Sequence, residues 1–356
     1  MSGVGAPGAA RVPPEVVDAS IDALKPGLPL GVALSGGADS TALLVACARR
    51  WPGQVVALHV NHGLQAAADT FERHCTALCE RWQVPLRVGR IDARAQAGES
   101  PEEAARLGRY RALAELARAG GNPDGNASGE GQIVHVASTR EQLGAVHDIV
   151  LGHHADDQIE TMILALSRGA GLPGLSAMPS MAERGGLRWH RPFLELPPDT
   201  LRVWLRTLGE GWIDDPTNAD ARYTRNRIRQ QVLPALAAAF PQFRQTFARS
   251  ARHAAQAQDL LADLARSDLE QTGTPPRIRA LQSLPRSRQA NALRAWLAEV
   301  SGRAPAARQI DELLDQIAVC TTRGHRIHLK AGNGQVVREG DTLRWYNGAP
   351  LPKPPR

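Results

Sequence analysis

The chain has 356 residues, of which 43% are apolar and 22% charged, enough for two domains that each bury a core. No apolar run is long enough to cross a bilayer. The opening segment, MSGVGAPGAARVPPE, also lacks the apolar stretch of a secretory signal, so a cytoplasmic protein is expected. The formal charge of +6, carried mainly by arginine, permits a polyanionic partner without demanding one.

Residues 1–27 read as a flexible tail. Leu30 to Leu34 then form a short apolar run suited to a strand buried on both faces, and Thr41 to Arg50 an apolar helix. Val55 to Val60 is a second such strand, Ala66 to Trp82 a helix, and Leu86 to Val88 a third strand. Pro101 to Arg118 is a helix that opens on proline, where the missing N–H costs nothing. Strand and helix alternating at this spacing predict an α/β fold, a parallel sheet with helices on both faces.

Gly120 to Gly131 carries too little apolar surface to order itself, so a mobile insert is expected over about 120–146. The pattern resumes with a strand at His147 to Leu151 and a helix from Asp156 in which Ile159, Met162, Ile163 and Leu166 keep a helical period. From Leu187 to Pro234 arginines recur among Trp189, Trp204, Trp212 and Tyr223. Residues 28–217 are read as one domain and 218–240 as an arginine-rich connecting helix. Residues 241–350 read as a smaller, mainly helical domain in which Ile310, Leu313, Leu314 and Ile317 form an apolar stripe. It ends in an alternating segment with a turn at Gly332-Asn333-Gly334, a short β-meander.

The strongest chemical signal is Ser35-Gly36-Gly37-Ala38-Asp39-Ser40, placed between the first strand and its helix. Glycines there let the backbone turn tightly, the hydroxyls bond, and the helix presents unpaired N–H groups at its positive end. Together these make an anion site, most often a phosphate site. Neither the dinucleotide fingerprint nor the lysine-containing kinase-type loop is present. Asp39 beside a phosphate is repulsive unless a divalent cation lies between them, so the loop predicts nucleotide phosphates held with Mg²⁺, Asp39 being the metal ligand.

A second cluster, Gly152-His153-His154-Ala155-Asp156-Asp157-Gln158-Ile159-Glu160, sits at a strand-to-helix turn. Its three carboxylates could hold Mg²⁺, position an ammonium group or accept its proton. A carboxylate in a first helical turn also complements the helix dipole without any substrate. The histidines lack a convincing further ligand for zinc, and hydrogen bonding to a phosphate or base suits them better. The cysteines, Cys47, Cys75, Cys79 and Cys320, read as small buried thiols.

The order strand–SGGADS–helix resembles the PP-loop of the N-type ATP pyrophosphatase superfamily, the adenine nucleotide alpha-hydrolase-like fold. Further motifs follow in sequence: Asn61-His62-Gly63-Leu64, Glu103-Ala104-Ala105-Arg106 with Arg109-Tyr110, the His153 to Glu160 cluster, and Arg191-Pro192-Phe193-Leu194. The series closes with Asp214-Asp215-Pro216-Thr217-Asn218 and Tyr223-Thr224-Arg225-Asn226-Arg227. In this order they resemble the tRNA(Ile)-lysidine synthase family. The resemblance implies an enzyme that adenylates the wobble cytidine of a CAU-anticodon tRNA(Ile) and lets free L-lysine displace AMP.

The residues then expected to serve are Ser35, Gly36, Gly37, Ala38, Asp39, Ser40 and His62 for ATP, and Asp39, Asp156, Asp157, Glu160 and His153 for catalysis. Arg191, Arg222, Arg225, Asn226 and Arg227 are expected on tRNA. No membrane partner is implied, and a homodimer is admitted. A tRNA thiolase using the same adenylation is the nearest rival. A metal-dependent phosphohydrolase built on the histidines would leave the glycine loop without purpose, and a silent RNA-binding module would not need Asp39.

Overall fold

A computed structural model describes residues 15–61, 68–90, 101–119, 143–215, 218, 220–322, 324–331 and 334–347. The chain divides into two compact units, Met1–Arg252 and His253–Arg356.

The first unit is built on a six-stranded sheet. Its strands are β1 (Leu30–Ala33), β2 (Val55–Asn61), β3 (Leu86–Arg90), β4 (Asp148–Val150), β5 (Met181–Arg184) and β6 (Leu187–His190). They lie in the order β3-β2-β1-β4-β6-β5, all parallel except the hairpin strand β5. The central strands are apolar along their length because helices cover both faces, as the unbroken runs required. On one face α2 (Ala38–Arg50) and α3 (Ala68–Arg81) bury Leu43, Leu44, Val45, Cys75 and Leu78. On the other, α4 (Pro101–Arg118) places Leu113 and Leu116 against Val56, Leu58 and Ile149. Strand order reverses between β1 and β4, and ligands of open α/β sheets gather outside the carboxyl ends at such a switch point. The glycine loop follows β1 and the histidine–aspartate cluster follows β4, so the topology brings together segments more than a hundred residues apart.

Three expectations are corrected. Part of the supposed tail is a helix, α1 (Glu15–Asp22), because Val17 and Ile21, four apart, bury fully in the sheet's core. The end of the supposed insert is fixed: Val146 is buried and donates its N–H to the Ala117 carbonyl at 2.9 Å, while Arg87 Nη2 holds the Leu143 carbonyl at 2.6 Å. The rest of that insert, 120–142, lies outside the described residues. The unit boundary falls at 252/253 rather than near 240, since Phe243 buries with Ile159, Ile228 and Leu233.

The second unit holds helices over Arg286–Ser301 and Ala307–Ala318 and a three-stranded antiparallel sheet of β7 (His328–Ala331), β8 (Gly334–Glu339) and β9 (Thr342–Asn347). The stripe Ile310, Leu313, Leu314 and Ile317 of the second of these helices is buried on Leu293, Trp296 and Val336. No helix among the described residues is long and apolar enough to cross a membrane.

Candidate active site

The glycine loop is folded by its own side chains. Ser40 Oγ accepts the N–H groups of Ser35 and Gly36 at 3.1 and 3.2 Å and donates to the Gly37 carbonyl at 3.1 Å. Gly36 has φ +90°, and a Cβ there would lie 3.2 Å from the Phe71 ring and 3.3 Å from Cys75 Sγ, so both conformation and space require glycine. Gly37 caps α2, whose first internal bond runs from the Thr41 N–H to the Gly37 carbonyl at 2.9 Å. The amides of Ala38, Asp39 and Ser40 therefore have no acceptor within the helix and form the positive end at which an anion binds. From outside, the Ile213 N–H pins the Gly36 carbonyl at 3.0 Å.

Asp39 stands in the first turn of α2 with Oδ1 buried and unbonded. Burial raises its pKa above the ordinary carboxylate value; the His154 imidazole opposes that shift and the Asp157 charge adds to it. His154 caps α5 (Ala155–Ser167) and spans two carboxylates, with Nε2 3.6 Å from Asp39 Oδ2 and Nδ1 3.6 Å from Asp157 Oδ2. Its own N–H donates to Asp157 Oδ2 at 2.9 Å. The two loops touch at Gly152, where a Cβ would lie 3.0 Å from the Asp39 carbonyl carbon and oxygen and 3.2 Å from the Ser40 nitrogen. Backbone cannot yield there as a flexible side chain would. Gly152→Ala should therefore raise the KM for ATP about tenfold or more while lowering stability by only about 1–2 kcal/mol. Steady-state kinetics and a melting curve check this, and an unchanged ATP KM would mean that the contact does not set the loop.

The three carboxylates of α5 do not act as one group. Their spacing of four puts Asp156 and Glu160 on one helical face, yet Asp156 binds Arg244, whose Nη2 donates at 2.9 Å, with a second bond from Nε. Glu160, fully buried, receives Nε and Nη2 of Arg229, the latter at 3.2 Å, and Arg225 Nη1 lies 3.8 Å away. Arg229 Nη2 also donates to Asp157 Oδ1 at 2.7 Å. For Asp157, burial pushes the pKa up but is outweighed by His154, His153, Arg229 and the bonded amide, so the group lies below its ordinary value. For Glu160 burial prevails over Arg229 and the pKa is raised. Sequence reasoning missed Arg244 and read Arg229 among the arginines of the RNA surface, although three carboxylates at a buried helix start demand nearby cations.

The other expected residues scatter. Ser35, Gly36, Gly37, Ala38, Asp39 and Ser40 form one loop, with His153 and His154 across from it, whereas His62 lies outside the described residues. Burial, chiefly, holds the His153 imidazole neutral with a pKa pushed down to about 4. Arg191 was expected on a tRNA surface, but it is buried beneath the 177–180 loop and bonds the Pro179 carbonyl at 2.9 Å. Asn226 is also buried, donating to the Asp220 carbonyl at 2.9 Å. Arg222 and Arg227 are exposed, as a nucleic-acid contact requires; Arg225 is half-buried beside Glu160. The expected connecting helix is three short pieces: a helical turn (Thr224–Arg227), a π-turn (Ile228–Val232) and a short helix (Leu233–Ala239). The π-turn carries Arg229 toward α5, as π-bulges at functional sites do.

Comparison with known proteins agrees with this geometry. A PP-loop domain model matches residues 17–122 and 137–236, and a TilS substrate binding domain model matches residues 277–344. The tRNA(Ile)-lysidine synthase of Polaromonas naphthalenivorans (strain CJ2) is 55% identical over 322 residues, covering 90% of each chain. The chain belongs to the tRNA(Ile)-lysidine synthase family. The family's tRNA(Ile)-lysidine synthase from Bordetella bronchiseptica is 38% identical over 345 residues, covering 93% of this chain and 92% of its own. That from Ralstonia nicotianae is 39% identical, covering 86% of this chain and 63% of its own.

Among solved structures, the U34-tRNA thiolase NcsA from Methanococcus maripaludis, determined with its [4Fe-4S] cluster, superposes with TM-score 0.52 at 13% identity. The match covers 67% of this chain and 78% of that one, and it supports the fold alone. A lysidine synthase does not need the sulfur chemistry of the rival reading, and the thiols here are unsuited to it. All four are buried and free, and burial, aided by the Glu72 charge, pushes Cys75 up to about 12, so it stays a thiol rather than the reactive thiolate.

Proposed function

We propose that this site ligates free L-lysine to C2 of the wobble cytidine in a CAU-anticodon tRNA(Ile), using ATP. The cytidine oxygen attacks the α-phosphate and pyrophosphate leaves; the lysine ε-amine then attacks C2 of the adenylated base, and AMP leaves with the oxygen. The observation that carries the reading is the junction of the glycine loop with the Asp39–His154–Asp157 chain at the sheet's switch point. The free amides of α2 bind the phosphates. The buried, unbonded Asp39 Oδ1 is the hard oxygen donor that Mg²⁺ selects, and the ion when bound would neutralise phosphate charge beside it. Arg229 bonds both Asp157 and Glu160, so these carboxylates form a fixed, ion-paired frame beside His154. His153, neutral, is suited to hydrogen bonding rather than to charge. A cytoplasmic location, where tRNA, ATP and free lysine meet, suits the reaction.

The test combines the purified protein with ATP, Mg²⁺, radiolabelled lysine and a CAU-anticodon tRNA(Ile) transcript. Label should enter the RNA, with AMP and pyrophosphate released in equal amounts. Release of ADP, or labelling without a CAU anticodon, would overturn the reading.

Arg222 and Arg227 are the exposed cations proposed to meet tRNA phosphates. Arg222 is clasped by Asp220 at 2.7 Å, an exposed pair that costs little to exchange for a phosphate. The double variant Arg222→Ala, Arg227→Ala should lower the slope of log affinity against log salt by about 1.4–1.8. Filter binding across a salt series measures this, and an unchanged slope would place the RNA elsewhere. Arg225 makes a poorer probe because its loss also strips a cation from buried Glu160.

A further inference from the structure

Arg191 is the buried cation of this site that the ion-pair network leaves aside. It lies one residue beyond β6, next to the carboxyl end of β4, where the Leu151 N–H bonds the His190 carbonyl at 2.9 Å. His153 and Arg191 therefore emerge from neighbouring strand ends on one edge of the sheet. The residue is 8% exposed. Its Nη1 donates to the Pro179 carbonyl at 2.9 Å and its Nη2 reaches the Tyr110 hydroxyl at 3.4 Å, but its Nε–H is buried with no acceptor. Beside it, His153 Nδ1 is also buried and unbonded. Among the described residues no carboxylate pairs with Arg191, whereas Arg229 has Asp157 and Glu160, and Arg244 has Asp156.

Burying a guanidinium without a counter-charge is expensive, and an unmet donor beside it adds to the cost. The fold nonetheless holds the group firmly. Gln158 ties the overlying loop in both directions, its Nε2 to the Met178 carbonyl and its Oε1 from the Met178 N–H, each at 2.8 Å. Tyr110 is set by ring packing on Trp189, centroids 5.0 Å apart. A preset, uncompensated cation with an unsatisfied donor is a seat for a small anion. The nucleotide phosphates already have the amino end of α2, and RNA phosphates meet exposed side chains. The remaining anion in the proposed reaction is the carboxylate of the amino acid whose far end is the nucleophile.

We propose that Arg191, with Tyr110 and His153 beside it, receives the α-carboxylate of lysine and makes the enzyme choose the amino acid over amines lacking that group. The inference rests on the reaction proposed above. Arg191 holds the substrate's inert end, so the ε-amine is free to reach the base.

The test compares kcat/KM for L-lysine and for L-lysinamide, an isostere without the negative charge, with tRNA-dependent pyrophosphate release in the absence of amine as a separate readout. The native enzyme should favour lysine by about 100-fold or more, since a site built to bond a group rejects the analogue lacking it. Arg191→Met should lose about that factor on lysine and change lysinamide by less than about threefold, with pyrophosphate release intact. Should that variant fail to fold, Tyr110→Phe keeps the ring packing and should raise the KM for lysine several-fold at unchanged kcat. Equal losses on both amines, a preserved preference in the variants, or equal use of both by the native enzyme would overturn the subsite. A fall in pyrophosphate release would do so as well, by assigning Arg191 to the nucleotide or the RNA phosphate. Failure of the reaction itself would look different, as no tRNA-dependent pyrophosphate release by the native protein.

Discussion

Asp39→Asn should abolish tRNA-dependent pyrophosphate release, lowering kcat by about a thousandfold or more, while leaving the protein at least as stable as before. The two halves of this expectation share one cause. Asp39 Oδ1 is buried without a partner, and burial raises the carboxyl pKa despite the nearby His154. A carboxylate whose folded pKa lies above its unfolded value favours the neutral form in the folded state. Its stabilising contribution is present at low pH and is lost as pH rises through the folded pKa, so at neutral pH the charge is a burden on the fold. Asparagine removes that burden with almost no change of shape, so the melting temperature should hold or rise. The same substitution takes away the charge on a buried, unbonded oxygen that fits a divalent cation beside the phosphates. Exchange of labelled pyrophosphate into ATP and a melting curve measure the pair. Undiminished exchange would refute the metal-ligand role, and a large drop in melting temperature would show that Asp39 holds the loop together.

How much of this was legible in the chain depends on the range of the interaction that fixes each part. The parallel sheet was readable because each strand announces its two-sided burial in unbroken apolar residues such as Val55 to Leu58. The glycine loop was readable because its bonds are local, Ser40 to Ser35, Gly36 and Gly37. Its neighbourhood with His154 followed from topology. What escaped is set by distant partners. The helix at Glu15–Asp22 is too short to show a period and is ordered by partners distant in sequence, burying Val17 and Ile21 and bonding Trp204 through Asp18. Strand β6 opens the segment whose arginines and tryptophans masked the alternation; Trp189 is buried and Arg188 exposed on the same strand. Arg191 and Asn226 carried the polar signature of an RNA surface but are buried, since composition cannot tell a solvated arginine from one tucked under a loop. The clamp of Arg229 on α5 joins residues 69 and 72 positions apart and leaves no periodic trace.

That clamp carries the second large effect. Arg229→Met leaves Glu160, fully buried, and Asp157 without the guanidinium that bonds both. Breaking a buried pair by removing one partner costs about 3–5 kcal/mol, most of it from the charge left behind. The Arg229 side chain is itself 36% exposed, so water takes over part of its role and about 2–3 kcal/mol is the better expectation. In a unit of this size that lowers the melting temperature by about 4–12 °C. Activity should fall with it, because Asp157 orients His154 toward Asp39 through the 2.9 Å amide bond and the 3.6 Å ring contacts. Two further measurements separate charge from packing. The deficit should shrink as pH falls toward 5, since protonating Glu160, whose pKa is already raised by burial, removes a charge left with only Arg225 at 3.8 Å. Adding Glu160→Gln to Arg229→Met should likewise restore much of the stability without restoring turnover. If Arg229→Met melts with the native protein at every pH, the carboxylates of α5 carry no unpaired charge. The electrostatic frame built around Asp157 would then have to be abandoned.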